Sequence, residues 1–73
     1  MKTVEIFKTN IQNDKVADKI TISLLALYPV YKINFDLEDE ENILRIEANK
    51  FKIETEEIID YMIGLGYSCE PIK

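Results

Sequence analysis

The sharpest alternation in the chain runs from Tyr31 to Glu38, where Tyr31, Ile33, Phe35 and Leu37 are apolar and Lys32, Asn34, Asp36 and Glu38 between them are polar. A period of two is that of a strand with one buried and one wet face, so the pattern predicts a strand. Leu44, Ile46 and Ala48 alternate with Arg45 and Glu47, which predicts a second strand, and Asp39-Glu40-Glu41-Asn42 reads as the turn of the hairpin between them. Thr3 to Lys8 alternates more weakly, with Val4 and Ile6 on one face, and its richness in β-formers predicts a strand. Tyr67 to Ile72 predicts a last short strand, and Pro71 confines it to a sheet edge because proline cannot donate to a ladder on both sides.

Two segments change period. From Asp14 the residues Val16, Ala17, Ile20, Leu24, Leu27 and Tyr28 recur at helical spacing, with Ile22 and Leu25 expected to widen the buried face. Asn10 or Asn13 offers the N-cap oxygen, Asp14 and Asp18 suit the helix start, and Pro29 stops the helix. The second helix is expected to be capped by Thr55, with Glu56 and Glu57 in its first turn. Ile58, Ile59, Met62, Ile63 and Leu65 line its inner side, and Gly66 fits the left-handed position just past its end.

The order is therefore β-α-β-β-α-β. It predicts an α+β ferredoxin-like fold, a four-stranded antiparallel sheet with two helices on one face. No linker, repeat or low-complexity tract divides the 73 residues, so a single domain over 1–73 is expected. On this reading Phe35 is core, and Phe35→Ala is expected to cost about 3–5 kcal/mol.

Composition narrows the chemistry. Fourteen acidic against nine basic residues give a net charge of −5, which argues against non-specific binding to nucleic acid or anionic lipid. The chain has no His, one Cys and two Gly, which leaves no hydrolase triad, no internal disulfide and no glycine-rich phosphate loop. No enzyme and no cofactor are expected. Charges recur through Met1 to Lys8 without an apolar stretch, and no apolar run reaches the ~18 residues of a bilayer span, so the expectation is a cytoplasmic chain with no membrane partner. An RNA-binding sheet needs aromatic rings on its open face. Lys32, Asn34, Asp36, Arg45 and Glu47 are expected there instead, with Phe7 the one exposed ring, so no nucleic-acid partner is expected.

Three groups of residues remain as candidates. Asp36, Glu38, Asp39, Glu40 and Glu41 place five carboxylates within six positions. Spaced as a Ca²⁺ loop they lack the glycine that its sharp turn needs, which leaves a solvated hairpin that repels edge-to-edge pairing, or a weak docking patch for a basic partner. Glu54, Glu56, Glu57 and Asp60 form a second acidic surface that complements a helix start. Cys69 shares a strand face with Tyr67 and is expected to point at the helices; a small buried residue is one reading, and a redox thiol or a ligand shared between two chains is the other.

The chain resembles the heavy-metal-associated domain of copper chaperones and metal-transporting ATPases. The likeness is carried by Val16 and Ile20 in the first helix, the run Val30-Tyr31-Lys32-Ile33-Asn34-Phe35-Asp36-Leu37, Ile59 and Ile63, and the closing Gly66-Tyr67, and it covers nearly the whole length. In that family a Met-x-Cys-x-x-Cys motif between the first strand and first helix holds a soft ion such as Cu(I). The first helix here is about one turn longer than usual, so the two Cys positions fall on Thr9 and Gln12 or on Gln12 and Lys15, and neither choice supplies a thiol. The resemblance thus implies the scaffold and a metal-handling setting, with no metal residue carried over.

The expected function is a small binding module with an unknown protein partner. It would act through the first loop (Thr9, Asn10, Gln12, Asn13, Asp14), the acidic hairpin or the exposed sheet. Lys8, Thr9, Asn10 and Asn13 are also placed to meet a small anion at the helix start. The alternatives are a small-ligand sensor of ACT type, a metal site shared between chains through Cys69, and a weak homodimer.

Overall fold

The computed structural model describes residues 2–38, 40–49 and 52–72. Six elements follow one another: β1 (Thr3–Thr9), α1 (Asp14–Leu27), β2 (Lys32–Asp36), β3 (Ile43–Ala48), α2 (Thr55–Gly64) and β4 (Cys69–Pro71). The strands form one antiparallel sheet in the order β2-β3-β1-β4, and with the two helices this is the α+β ferredoxin-like fold. The outer strands are shorter than expected. Tyr31 and Leu37 flank β2 rather than joining it, and Tyr67 and Ile72 flank β4.

Register decides which side of each strand is wet, because directly opposed residues share a face. Phe7 opposes Leu44, and Leu44 opposes Phe35; Glu5 opposes Ile46, and Ile46 opposes Ile33. Phe7, Leu44 and Ile46 are fully buried, so this is the helix-covered face. The expectation of an exposed Phe7 is overturned. Val4 and Ile6 lie on the open face, each 37% exposed, because once β3 commits Leu44 and Ile46 inward β1 can offer only the Phe7 side. One ring there buries more apolar area than a short aliphatic side chain.

Asn13 is the N-cap of α1, its Oδ1 accepting from the Lys15 and Val16 amides at 2.8 and 3.2 Å. Ala17, Ile20 and Leu24 are buried. Ile22, Leu25 and Leu27 are exposed, Ile22 by 69%, so they do not widen the buried face. Ile22 sits two residues from both Ile20 and Leu24, about 200° round the helix from each, and a helix lying on a sheet buries only one stripe.

In α2 the N-cap is Glu54 without a side-chain cap bond, and Thr55 is the first helical residue, its Oγ1 donating to Ile53 O at 3.4 Å. Ile58 and Met62 are fully buried and Ile59 is half-buried, while Ile63 and Leu65 are exposed, contrary to expectation. The helix ends as predicted at Gly66, whose φ of 96° suits only a residue without a Cβ. Gly66 N–H donates to Ile63 O at 2.9 Å and Tyr67 N–H to Met62 O at 3.1 Å, so the last carbonyls are satisfied.

The two sheet edges differ in construction. In β4 the Ile72 amide donates to Ile6 O at 2.8 Å, so the backbone nitrogen of the preceding residue faces away from β1. That residue is Pro71, and its missing N–H falls where no ladder bond is lost. Among the described residues the backbone groups of β2 that turn away from β3 have no backbone partner.

Candidate functional site

The residues between β1 and α1, where the resemblance would place a thiolate pair, are occupied with holding the chain. Thr9 is buried at the end of β1; its hydroxyl donates to Asn42 O at 2.6 Å and accepts from the Ile11 amide at 3.2 Å. Asn42 adopts a positive φ of 50°, which Asn tolerates better than most residues, and its carbonyl also accepts from the Thr9 amide. Asn10 is not a helix cap: its Oδ1 accepts from the Ser68 amide at 3.0 Å and ties the loop to the entry of β4. With Asn13 capping α1, three of the five candidate loop side chains have structural partners. Gln12 and Asp14 remain exposed.

Those two residues meet part of the acidic hairpin. Gln12, Asp14, Asp18 and Thr21 form one wall of a groove of about 740 Å³, and the β2 edge with Asp36, Leu37 and Glu38 forms the other. Ala17, Ile33 and Phe35 contribute apolar surface, and among the described residues no Lys or Arg lines it. Asp18 and Thr21 were not among the sequence candidates, although 14, 18 and 21 share one side of a helix by their spacing alone. Asp36 Oδ1 accepts from the Glu38 amide at 3.2 Å, which turns the chain out of β2. Glu40 and Glu41 are exposed beyond this turn and Asp39 lies outside the described residues. Among the described residues no three acidic or thiol side chains gather closely enough to hold a metal ion.

The second acidic surface is partly spent on packing. Tyr28 and Tyr31 stack with centroids 5.0 Å apart. The Tyr28 hydroxyl donates to Glu57 at 3.1 Å, and burial, reinforced by that carboxylate, pushes the phenol up to about 12. The Tyr31 hydroxyl donates to Lys52 O at 2.8 Å and accepts from the Glu54 amide at 2.9 Å. The end of α1 and the start of α2 are thereby held together, while Glu56 and Asp60 face water.

Cys69 is buried on the helix side of β4, opposite Thr9, and burial pushes its thiol up to about 11. A thiol so placed is a poor nucleophile and a poor metal ligand. On the open face the expected Lys32, Asn34, Asp36, Arg45 and Glu47 are joined by Val4, Ile6 and Lys8, and the strand positions there carry no aromatic ring. Glu47 was expected in water but is only 7% exposed, lying beneath Lys2 and Arg45, with Lys2 Nζ 2.5 Å from its Oε1. Its hydrogen bond to Lys2, with Arg45 and Lys32 nearby, holds the carboxyl below the usual glutamate range.

Compared with known proteins, the chain matches no family model, no curated protein and no solved structure. The heavy-metal-associated resemblance therefore stands on the sequence positions that carry it. No helix among the described residues is long and apolar enough to cross a membrane.

Proposed function

We propose that the chain is a cytoplasmic interaction module, a scaffold of heavy-metal-associated type without thiolates, which binds another polypeptide by adding its strand to β2. One observation carries this reading: among the described residues the backbone groups of β2 that face away from β3 have no backbone partner, and β2 borders the groove walled by α1. An extended segment laid there completes a ladder while its alternate side chains meet Ala17, Ile33 and Phe35. No reaction is assigned to it. Metal handling enters through the resemblance alone.

A small-ligand sensor is the second reading, because about 740 Å³ falls within the volume of ligand sites. The lining works against it for amino acids: four acidic residues border the groove, but the ligand's carboxylate would find no cation among the described residues. A metal shared through Cys69 requires a buried thiol to reach a second chain, and α2 and β1 stand in the way.

Titrating isotope-labelled protein with Cu(I), Zn²⁺, the amino acids and a lysine–valine alternating hexapeptide tests the reading. The amides of Ile33 to Phe35 are expected to shift with the peptide and not with the ions. Stoichiometric capture of Cu(I) by a monomer would overturn it.

A further inference from the structure

The partner of β2 can be read from the order of its side chains. From Lys32 to Asp36 the strand runs Lys, Ile, Asn, Phe, Asp, with Lys32, Asn34 and Asp36 on the open face and Ile33 and Phe35 on the helix face. Turned end for end against itself, the strand meets a complement. We infer that β2 pairs with β2 of a second copy of this chain, antiparallel, in the register whose two-fold axis passes through Asn34. This rests on the proposed strand addition and names the added strand.

In that register Lys32 opposes Asp36 of the second copy, and the symmetry repeats the pair. Ile33 opposes Phe35, also twice, and Asn34 opposes itself. Opposite charges directly across a ladder attract, and an aliphatic–aromatic pair across it packs well. Either alternate set of outward backbone groups can close the ladder, because a two-fold through a residue leaves both sets self-matched. Slipping by one position places Lys32 opposite Phe35 and sends polar groups to the apolar side. The register through Asn34 also engages all five residues of β2. The sheet would continue across the axis as eight strands, with both helix layers on the same side.

Edge protection points the same way. The hairpin carboxylates were expected to repel pairing, but Glu38, Glu40 and Glu41 follow β2 rather than lying along it, and the strand's own charges are one of each sign. The groove-lining Asp14 and Asp18 stay beside water, where salt screens them beyond about 8 Å, whereas the Lys32–Asp36 pairs would be in contact. The acidic rim makes a basic extended segment the rival occupant, and the experiment separates the two.

Analytical ultracentrifugation over a concentration series, with amide exchange on the same samples, is the test. The wild-type chain is expected to dimerise reversibly and to protect amides of β2 as the dimer fills. Lys32→Asp alone sets carboxylates against carboxylates, and Asp36→Lys alone sets ammonium groups against ammonium groups. Each is expected to weaken dimerisation at least about tenfold, roughly 1.4 kcal/mol. An equimolar mixture of the two single variants is expected to recover the affinity as a heterodimer, and the double exchange to recover it as a homodimer. Both positions are exposed, and circular dichroism checks that each variant is folded. A wild-type chain monomeric at millimolar concentration, or single variants that dimerise as well as wild type, would overturn the inference. If the chain is monomeric but the lysine–valine peptide still shifts the β2 amides, strand addition stands and only the second copy is wrong; if neither binds, both fail.

Discussion

The two edges of this sheet face the same hazard and meet it differently. A strand edge is a row of unpaired donors and acceptors that templates further pairing unless it is shortened, broken or covered. The β4 edge is short, three residues, and its proline sits where an outward N–H would otherwise stand. The β2 edge has five residues, no proline, and a groove beside it. A fold that blunts one edge and leaves the other whole is consistent with the binding proposed at the second. The difference also assigns roles to the two halves of the molecule, with β1, β4 and the first loop committed to holding the chain together and β2 with α1 open to a partner.

The largest expected effect tests that division through the two sheet phenylalanines. Phe7 is fully buried in β1, beside β4, while Phe35 is half-buried in β2. Phe7→Ala is expected to cost about 3–5 kcal/mol, a large share of the stability of so small a domain. Phe35→Ala is expected to cost about 1–2 kcal/mol in the monomer, since part of its ring is already in water. Urea denaturation of both at low protein concentration checks the order. Equal losses would mean that the β2 side is as closed as the β4 side.

The smaller loss at Phe35 would also revise the sequence expectation, which placed that ring in the core. The alternation of β2 and β3, the order of elements and the Gly66 terminus were legible because each is a local pattern with one physical meaning; the cap of α1 was left between Asn10 and Asn13, since either oxygen could serve a helix start and only the fold sends Asn10 to Ser68. The facing of β1 was not. Its alternation is weak, and Phe7 goes inward only because β3, far along the chain, has already fixed the face. The burial of Glu47 was hidden for a related reason, since Lys2 closes over it only once β1 and β3 are paired. The groove was half legible. Asp14 and Asp36 were candidates separately, but sequence spacing cannot show that a helix and a strand leave a gap between them.

The next effect reads the β4 edge chemically. Burial raises the Cys69 thiol from its ordinary value of 9.0 to about 11. Near pH 8 the folded chain therefore holds roughly a hundredfold less thiolate at this position than the unfolded chain. Because the folded value is the higher one, the associated stability is intact below about pH 9 and is lost as pH climbs toward 11. Iodoacetamide labelling at pH 8 is expected to follow unfolding, and labelling as fast in buffer as in denaturant would show the β4 edge to be open.

A smaller loss is expected at the loop that the resemblance singled out. Thr9→Val keeps the shape but removes the hydroxyl that bonds Asn42 O and the Ile11 amide. The Asn42 carbonyl retains the Thr9 amide, so the Ile11 N–H is the group left without a partner. The expected cost is about 1–2 kcal/mol by thermal or urea unfolding. A neutral result would return Thr9 to the candidates for binding and weaken the assignment of this half to structure.

The smallest effect concerns Pro71 and separates its two protections. Pro71→Thr restores an outward N–H on β4, and stability is expected to change by no more than about 0.5 kcal/mol because no ladder bond to β1 is involved. If proline alone guarded this edge, β4 would then accept the β2 of another copy. That contact is head-to-tail and does not close, so sedimentation would show species growing with concentration. If shortness guards it, the variant sediments as wild type does, because three residues give too little ladder to outweigh the lost freedom of two chains. The second outcome is expected, and it would place the asymmetry of the sheet in strand length, with the proline as reinforcement.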